Sequence, residues 1–279
     1  MIKKITQQNL ILSLFENLVR SNLYSFIFFR FVTNKFFARL IYETDFKFIH
    51  YVRNLNFFKN KTILDIGAND GISIKAIRKF ANNKIISFEP NKKNFSKIIN
   101  LSKKIKKIQA YNVALSNKKL NKVSIYEAYY KKYHLSPFDS LSKKNVIKHL
   151  KDSLFVKKID KQIIIKSSTI RLRKLDEFKL SPSFIKIDIQ GHEYECVLGS
   201  LQTIKKNKPI IMIEFDNKII KKIFNKLKKY EYKKFFYIAN KKKLYEHKNE
   251  KVFNVFFIHN SLINKIKKNI NIKLIDDNY

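Results

Sequence analysis

The chain has 279 residues, enough for one large domain or two small ones around a sizeable core. A single cysteine excludes a disulfide framework and every multi-cysteine zinc or iron–sulfur site, and a composition that is 45% hydrophobic and 14% aromatic excludes a disordered chain. Charge is the unusual quantity: 59 basic against 22 acidic side chains leave +37. A field of that size concentrates polyanions, so nucleic acid and anionic membrane surfaces must be weighed. Only 7 of the cations are arginine, however, and Ala, Gly, Pro and Trp are scarce where Lys, Asn, Ile, Phe and Tyr abound. The favoured residues share A/T-rich codons, whereas base-reading surfaces prefer the planar arginine fork. Compositional drift that loads lysine onto solvated faces is therefore the preferred explanation, and no specific nucleic-acid partner is expected.

Residues 1–57 read as an N-terminal helical extension. Leu10, Ile11, Leu14, Phe15, Leu18 and Val19 recur at helical spacing, and the aromatic stretch 23–42 has the length of a membrane span. Arg30, Lys35 and Arg39 would each cost about 2.5 to 3.5 kcal/mol in a bilayer, against about 0.3 to 0.6 gained per Leu, Ile, Phe or Val, so a span is not expected. No small-residue cleavage site follows a short apolar core, which speaks against a secretory signal and for a cytoplasmic chain. Two alternatives stand: amphipathic helices that pack on the main domain or across a homodimer, and a basic aromatic helix lying on the anionic inner membrane face.

Residues 58–260 read as one α/β domain, followed by a tail at 261–279. Short apolar runs at 62–66, 85–88, 108–113, 184–189, 210–215, 235–238 and 252–258 are the strand candidates. Helical patterns lie between them at 72–80, 95–101, 194–204 and 219–230, with Ile72, Ala76, Ile77 and Phe80 on one face of the first. Runs too apolar for half-wet strands, alternating with helices, predict a mostly parallel seven-stranded sheet with helices on both faces. Residues 116–168 break the rhythm and are expected to form an insertion or lid, with 123–126 and 162–165 as extra strands. The lysine run at 241–243 reads as a solvated loop.

Two of the four glycines, Gly67 and Gly71, share one turn between the first strand and the first helix, Asp65-Ile66-Gly67-Ala68-Asn69-Asp70-Gly71. Glycine there permits positive φ and a close backbone approach to a ligand, so the turn is a candidate cofactor site. The spacing is not the G-x-G-x-x-G of dinucleotide sites, and Asp65 and Asp70 would repel a pyrophosphate while favouring the sulfonium and ammonium of S-adenosylmethionine. The next strand ends in Phe88-Glu89-Pro90, where the Glu89 carboxylate can accept two ribose hydroxyls.

These segments resemble an FkbM-type methyltransferase, a branch of the class I S-adenosylmethionine-dependent enzymes. The resemblance covers about residues 60–215. It is carried by Leu64 to Gly71, by Ser87-Phe88-Glu89-Pro90, by Asn112-Val113-Ala114-Leu115, by Ile185-Lys186-Ile187-Asp188-Ile189-Gln190-Gly191-His192-Glu193 and by the strand Pro209 to Glu214. It implies a Rossmann-like class I methyltransferase fold, with Asp65, Gly67, Asn69, Asp70, Gly71, Glu89, Asn112 and Ala114 around S-adenosyl-L-methionine. It also implies O-methylation, most often of a sugar hydroxyl in a surface polysaccharide, glycolipid or related glycan precursor. The alternatives are an RNA methyltransferase and a cofactor-binding protein without catalysis.

Methyl transfer to a hydroxyl calls for alignment and a positioned base. Asp188, His192, Glu193 and Glu214 are the catalytic candidates, because all fall near the C-terminal ends of adjacent strands. Each has a plainer alternative: Asp188 as an ion paired with Lys186, His192 as a helix-start residue, Glu193 as a first-turn acid. Gln190 stands where the family generally has Glu and cannot ionise, so it supplies no base. Ser136, Asp139 and Ser140 are further candidates for touching the acceptor. Cys196, among Val197, Leu198 and Leu201, reads as core, and no metal is expected.

Overall fold

A computed structural model describes residues 43–130, 133–152 and 163–273. Residues 1–42, which hold most of the expected N-terminal extension, lie outside the described residues. Two short helices, Glu43–Phe46 (α1) and Phe48–Val52 (α2), lead into the α/β unit and bury Phe46, Phe48, Ile49 and Val52 in its core. Asn254 Nδ2 donates to Asp45 Oδ2 at 2.7 Å and ties this entry to the far side of the sheet.

The first half-unit runs Thr62–Ile66 (β1), Ile72–Phe80 (α3), Ile85–Phe88 (β2), Lys92–Ser102 (α4) and Ile108–Tyr111 (β3). Next come Ala114–Leu115 (β4), Leu120–Tyr130 (β5), Tyr133–His134 (β6), Lys143–Asp152 (α5) and Ile163–Arg173 (β7). The second half-unit holds Pro182–Ile187 (β8), Glu193–Leu198 (α6), Leu201–Asn207 (α7), Ile210–Glu214 (β9), Asn217–Leu227 (α8) and Tyr232–Ile238 (β10). Lys243–Glu246 (β11), Asn254–His259 (β12), Asn260–Lys267 (α9) and Asn271–Lys273 (β13) close the described chain.

The main sheet has nine strands in the order β13-β11-β10-β12-β9-β8-β1-β2-β3. All seven expected strands are in it, and β8, β9, β1, β2 and β3 pair parallel while β12 runs antiparallel to both neighbours. The count of seven is corrected by β11 and β13 at one edge. β11 begins at the last of the 241–243 lysines, after a turn through Lys242 at φ 49°, and it was hidden because Leu244 is its one buried residue. The region 261–279, expected as a tail, contributes α9 and β13 within 261–273, and Leu262, Ile263, Ile266 and Ile270 are core residues.

Alternation along the strands builds two cores, one on each face. Ile63 and Phe184 face one core with Phe256, and Leu64, Ile185 and Ile187 face the other with Phe257 and Val197. Cys196 is fully buried in the second. The α3 helix buries Ser73, Ile74, Ala76 and Ile77, so its inner face is rotated from the apolar stripe read in the sequence. The reason is polar: Ser73 turns inward to reach Asp65. The expected helix 194–204 is two helices, because Gly199 lies against Ser116, whose carbonyl oxygen a Cβ would strike.

The insertion is a sheet of its own. The β5 and β7 strands pair antiparallel from Leu120 to Tyr130, much longer than the two extra strands expected, in a four-stranded sheet of order β4-β7-β5-β6. Ala114 thereby leaves the main sheet and pairs with Leu172, so the predicted strand 108–113 stops at Tyr111. After β3 the chain returns to the middle of the main sheet, where β8 lies beside β1. In open α/β sheets that switch point, at the C-terminal strand ends, is where ligands bind.

Candidate active site

The β1 turn and the β8 turn meet at this switch point. Gly67 has φ +77°, and a Cβ there would collide with the backbone carbonyl of Asp188, so glycine is required for the two turns to touch. The close approach at Gly67 is to protein backbone. The Asp65 side chain is fully buried, accepts from Ser73 Oγ at 2.6 Å, and has Lys186 Nζ 3.4 Å from its other oxygen. Lys186 also donates to the Gly67 carbonyl at 3.0 Å and lies 3.2 Å from Asp188 Oδ2. Burial would lower the Lys186 pKa, but Asp188 and Asp65 outweigh it and keep the ammonium charged. The sequence pointed to the Lys186–Asp188 pair, and the structure has it; the second contact, to Asp65 on the neighbouring strand, was not foreseen.

At the next strand end Glu89 is 6% exposed. Its Oε2 accepts from the Asn69 N–H at 2.8 Å and its Oε1 from the Asn91 N–H at 2.9 Å. One donor per oxygen leaves a free lone pair on each. Burial, the main cause, pushes this carboxyl up to about 8, and Asp139 adds to the shift. Asn112 Nδ2 spans the Glu89 and Pro90 carbonyls at 2.9 Å each and fixes the strand end. Gly71 opens α3 at φ 84°, and Asp70, partly exposed, precedes it. Ala114 takes its place in the second sheet.

The four catalytic candidates separate. Asp188 and Glu214 come together, and Gln190 Nε2 bridges them at 3.1 and 3.2 Å. Burial works against ionisation of Asp188, yet Lys186 outweighs it and holds the carboxyl below its ordinary range. Protein atoms strip much of the water from the Glu214 carboxyl although its outer edge is open, and with Asp188 alongside the acid is pushed up to about 8. The pair thus holds one proton over the neutral range.

Glu193 is engaged by backbone instead. It accepts from the Ile189 and Gly191 N–H groups at 3.1 Å, which organises the turn that carries Gln190 at φ 54°. His192 faces Ser116, with Nε2 3.0 Å from its Oγ and Nδ1 3.7 Å from Glu195 Oε2. Its side chain makes no helix-cap bond. His192→Gln is accordingly expected to cost about 1 kcal/mol of stability, the loss of one hydrogen bond, with turnover within about twofold of the parent. Thermal melting and single-turnover rates on one sample check it, and a hundredfold slower transfer would return His192 to the chemistry.

The insertion contacts both turns. Ser136 Oγ donates to Asn69 Oδ1 at 3.0 Å, and Ser140 Oγ donates to the Gln190 carbonyl at 3.1 Å. Asn91 Nδ2 donates to Glu127 Oε1 at 2.7 Å and to Asp139 Oδ2 at 3.2 Å, while His134 Nε2 lies 2.9 Å from Asp139 Oδ1. Tyr129 and Ser168 complete the bonds to Glu127. Of this wall only Ser136, Asp139 and Ser140 were signalled by the sequence. The others come from strands whose polar side chains face the site only once β5 and β7 are paired. Among the described residues no group of three His, Cys, Asp or Glu stands ready to hold a metal ion, and no helix is long and apolar enough to cross a membrane.

A mostly parallel sheet with its switch point between β1 and β8, and acids at the ends of β1, β2 and β8, defines a methyltransferase-like α/β protein. The model of the methyltransferase FkbM domain matches residues 65–234, more than half of the chain, and the chain belongs to that family. Methyltransferases of this kind generally use S-adenosylmethionine. Among solved structures, the methyltransferase FkbM from Methylobacillus flagellatus KT is 14% identical, with a TM-score of 0.46 over 75% of this chain and 48% of that one. This chain thus spans about half the length of that relative. Precorrin-6y C5,15-methyltransferase from Geobacter metallireducens GS-15 is 13% identical, with a TM-score of 0.36 over 76% and 84% of the two chains. A fibrillarin/Nop5p complex is 11% identical, with a TM-score of 0.34 over 72% of each. No curated protein matches the chain.

Proposed function

We propose that this chain is an S-adenosylmethionine-dependent O-methyltransferase whose acceptor is a sugar hydroxyl of a glycan or glycan precursor. One observation carries the cofactor: Glu89 is buried with each oxygen holding a single backbone N–H, which leaves two acceptor positions for a vicinal diol. When bound, S-adenosylmethionine supplies an electrophilic methyl on a sulfonium.

The chain's own residues would do the rest. Asp188, held ionised by Lys186, is positioned to accept a hydrogen bond from the acceptor hydroxyl and to take its proton as the oxygen is methylated. Glu214, joined to Asp188 through Gln190, makes that carboxylate a stronger proton acceptor once its own proton is lost. The insertion, bonded to the Asn69 and Gln190 turns, covers the site and excludes water. The acidic, hydrogen-bonding wall of Glu127, Asp139 and His134 suits a polyhydroxylated acceptor better than a phosphate-lined polynucleotide.

Incubation with radiolabelled S-adenosylmethionine and a panel of nucleotide sugars, extracted surface polysaccharide and total RNA tests the acceptor. Label is expected in carbohydrate. Saturable incorporation into RNA, with none in carbohydrate, would replace the proposed acceptor.

A further inference from the structure

The end of the sheet opposite the candidate active site holds a cleft of about 780 Å³. It lies where β1, β2 and β3 begin, so a full strand, about 15 Å, separates it from Glu89 and Asp188. No acceptor seated there can reach the methyl-transfer site. Six cations line it, Arg53, Lys59, Arg78, Lys79, Lys84 and Lys107, and none of its lining residues is an acid.

Drift toward lysine accounts for charge on solvated faces, but not for how this cleft is built. Two of the chain's seven arginines line it. Arg78 works as a floor: its Nη1 donates to the Ala81 and Asn83 carbonyls at 3.1 and 3.0 Å, and its Nη2 to the Lys106 and Lys107 carbonyls at 3.2 and 3.4 Å. Asn83 Nδ2 joins the third loop, donating to the Phe58 and Lys61 carbonyls at 2.9 and 2.8 Å. Three loops are thus fixed to one another, and four carbonyl dipoles that would repel an anion are already occupied. The Arg78 Nε atom is buried with no partner among the described residues, and burial lowers the pKa of the guanidinium.

We infer that this cleft is a binding site for a small ligand carrying closely spaced phosphates, of the pyrophosphate type. Six cations around one cleft, with no acid among them and a floor fixed by Arg78 and Asn83, match a compact multiple anion, because their summed field favours closely spaced negative charges. The volume suits a small molecule or a headgroup, and the lining has one aromatic ring, Phe80, so there is no platform on which successive bases could stack. Soluble pyrophosphate compounds and phosphorylated lipid headgroups share this chemistry.

Calorimetric titration of the full chain with sodium pyrophosphate at near-physiological salt tests the site. The cleft variant carries Arg53→Gln, Lys59→Gln and Lys84→Gln. A control variant removes three exposed lysines of the α8 region, Lys218→Gln, Lys221→Gln and Lys228→Gln. Thermal melting shows that both are folded. One saturable site is expected, weakened about tenfold or more in the cleft variant and less than about twofold in the control. Vesicles of phosphatidylcholine with and without diacylglycerol pyrophosphate separate the sources: binding lost only in the cleft variant assigns a lipid headgroup, and binding confined to free pyrophosphate assigns a soluble ligand. Equal weakening in both variants, several equivalent sites per chain, or no saturation would overturn the inference by reducing the cleft to general surface charge. Displacement of pyrophosphate by single-stranded RNA, with affinity that grows with strand length, would overturn it in favour of a nucleic-acid track.

Discussion

Asp188→Asn is expected to lower the single-turnover rate about 10²- to 10⁴-fold, the range for loss of a positioned base, while S-adenosylmethionine affinity stays within about twofold. The substitution keeps the shape and the bonds to Gln190 but removes the charge that Lys186 stabilises. Glu214→Gln leaves that charge in place and removes the second carboxyl. Since Glu214 gives up its proton near pH 8, the parent rate at saturating cofactor should climb as pH rises through that value, and Glu214→Gln should flatten the climb. Full activity of Asp188→Asn on the true acceptor would mean that alignment alone carries the transfer.

Glu89→Gln is expected to weaken S-adenosylmethionine binding by about 1.5 to 3 kcal/mol and to remove its dependence on pH. The two ribose hydroxyls donate to an ionised carboxylate, but burial leaves Glu89 protonated below about pH 8 in the cofactor-free chain. Affinity should therefore rise with pH by up to about tenfold per unit and level off above that point. The linkage to stability has the opposite sign. A carboxyl whose folded pKa exceeds its unfolded value binds more protons when folded, so the cofactor-free chain loses stability as pH rises from the ordinary carboxylate range to about 8. Calorimetry and melting across that window check both. Unchanged affinity and an unchanged pH profile in a folded Glu89→Gln would remove Glu89 from the cofactor site.

Much of the fold was legible because its signals are local. The strands from β1 to β12 that form the body of the sheet are short apolar runs between helical patterns, and a strand buried on both faces cannot be written otherwise. The Gly67 to Gly71 turn and Glu89 were legible for a similar reason: a positive-φ turn and an acid ending an apolar strand stand out in any composition. Edge strands carry weaker signals. β11 buries only Leu244 and β13 is a three-residue edge strand, so their residues read as loop and tail, and the two-residue β4 is defined by its partners Leu172 and Arg173.

What the sequence determined by itself is the class of protein: a parallel α/β sheet with an acidic glycine turn and a second acid one strand further on, for which periodicity and motif spacing suffice. What only the tertiary structure decided is the use made of each ionisable group. Asp188, His192, Glu193 and Glu214 look alike along the chain, yet folding gives Glu193 to backbone N–H groups, His192 to Ser116, and leaves Asp188 and Glu214 facing each other beside Lys186. The difference is physical: a group's role follows from its burial and its nearest partners, and many of these, such as Ser116 for His192, Asp139 for Glu89 and Asp65 for Lys186, lie far away in the chain or on another strand. The positive charge divides in the same way. Lysine count is a property of composition, whereas six cations around one cleft, on a floor fixed by Arg78 and Asn83, exist only after three loops have been brought together.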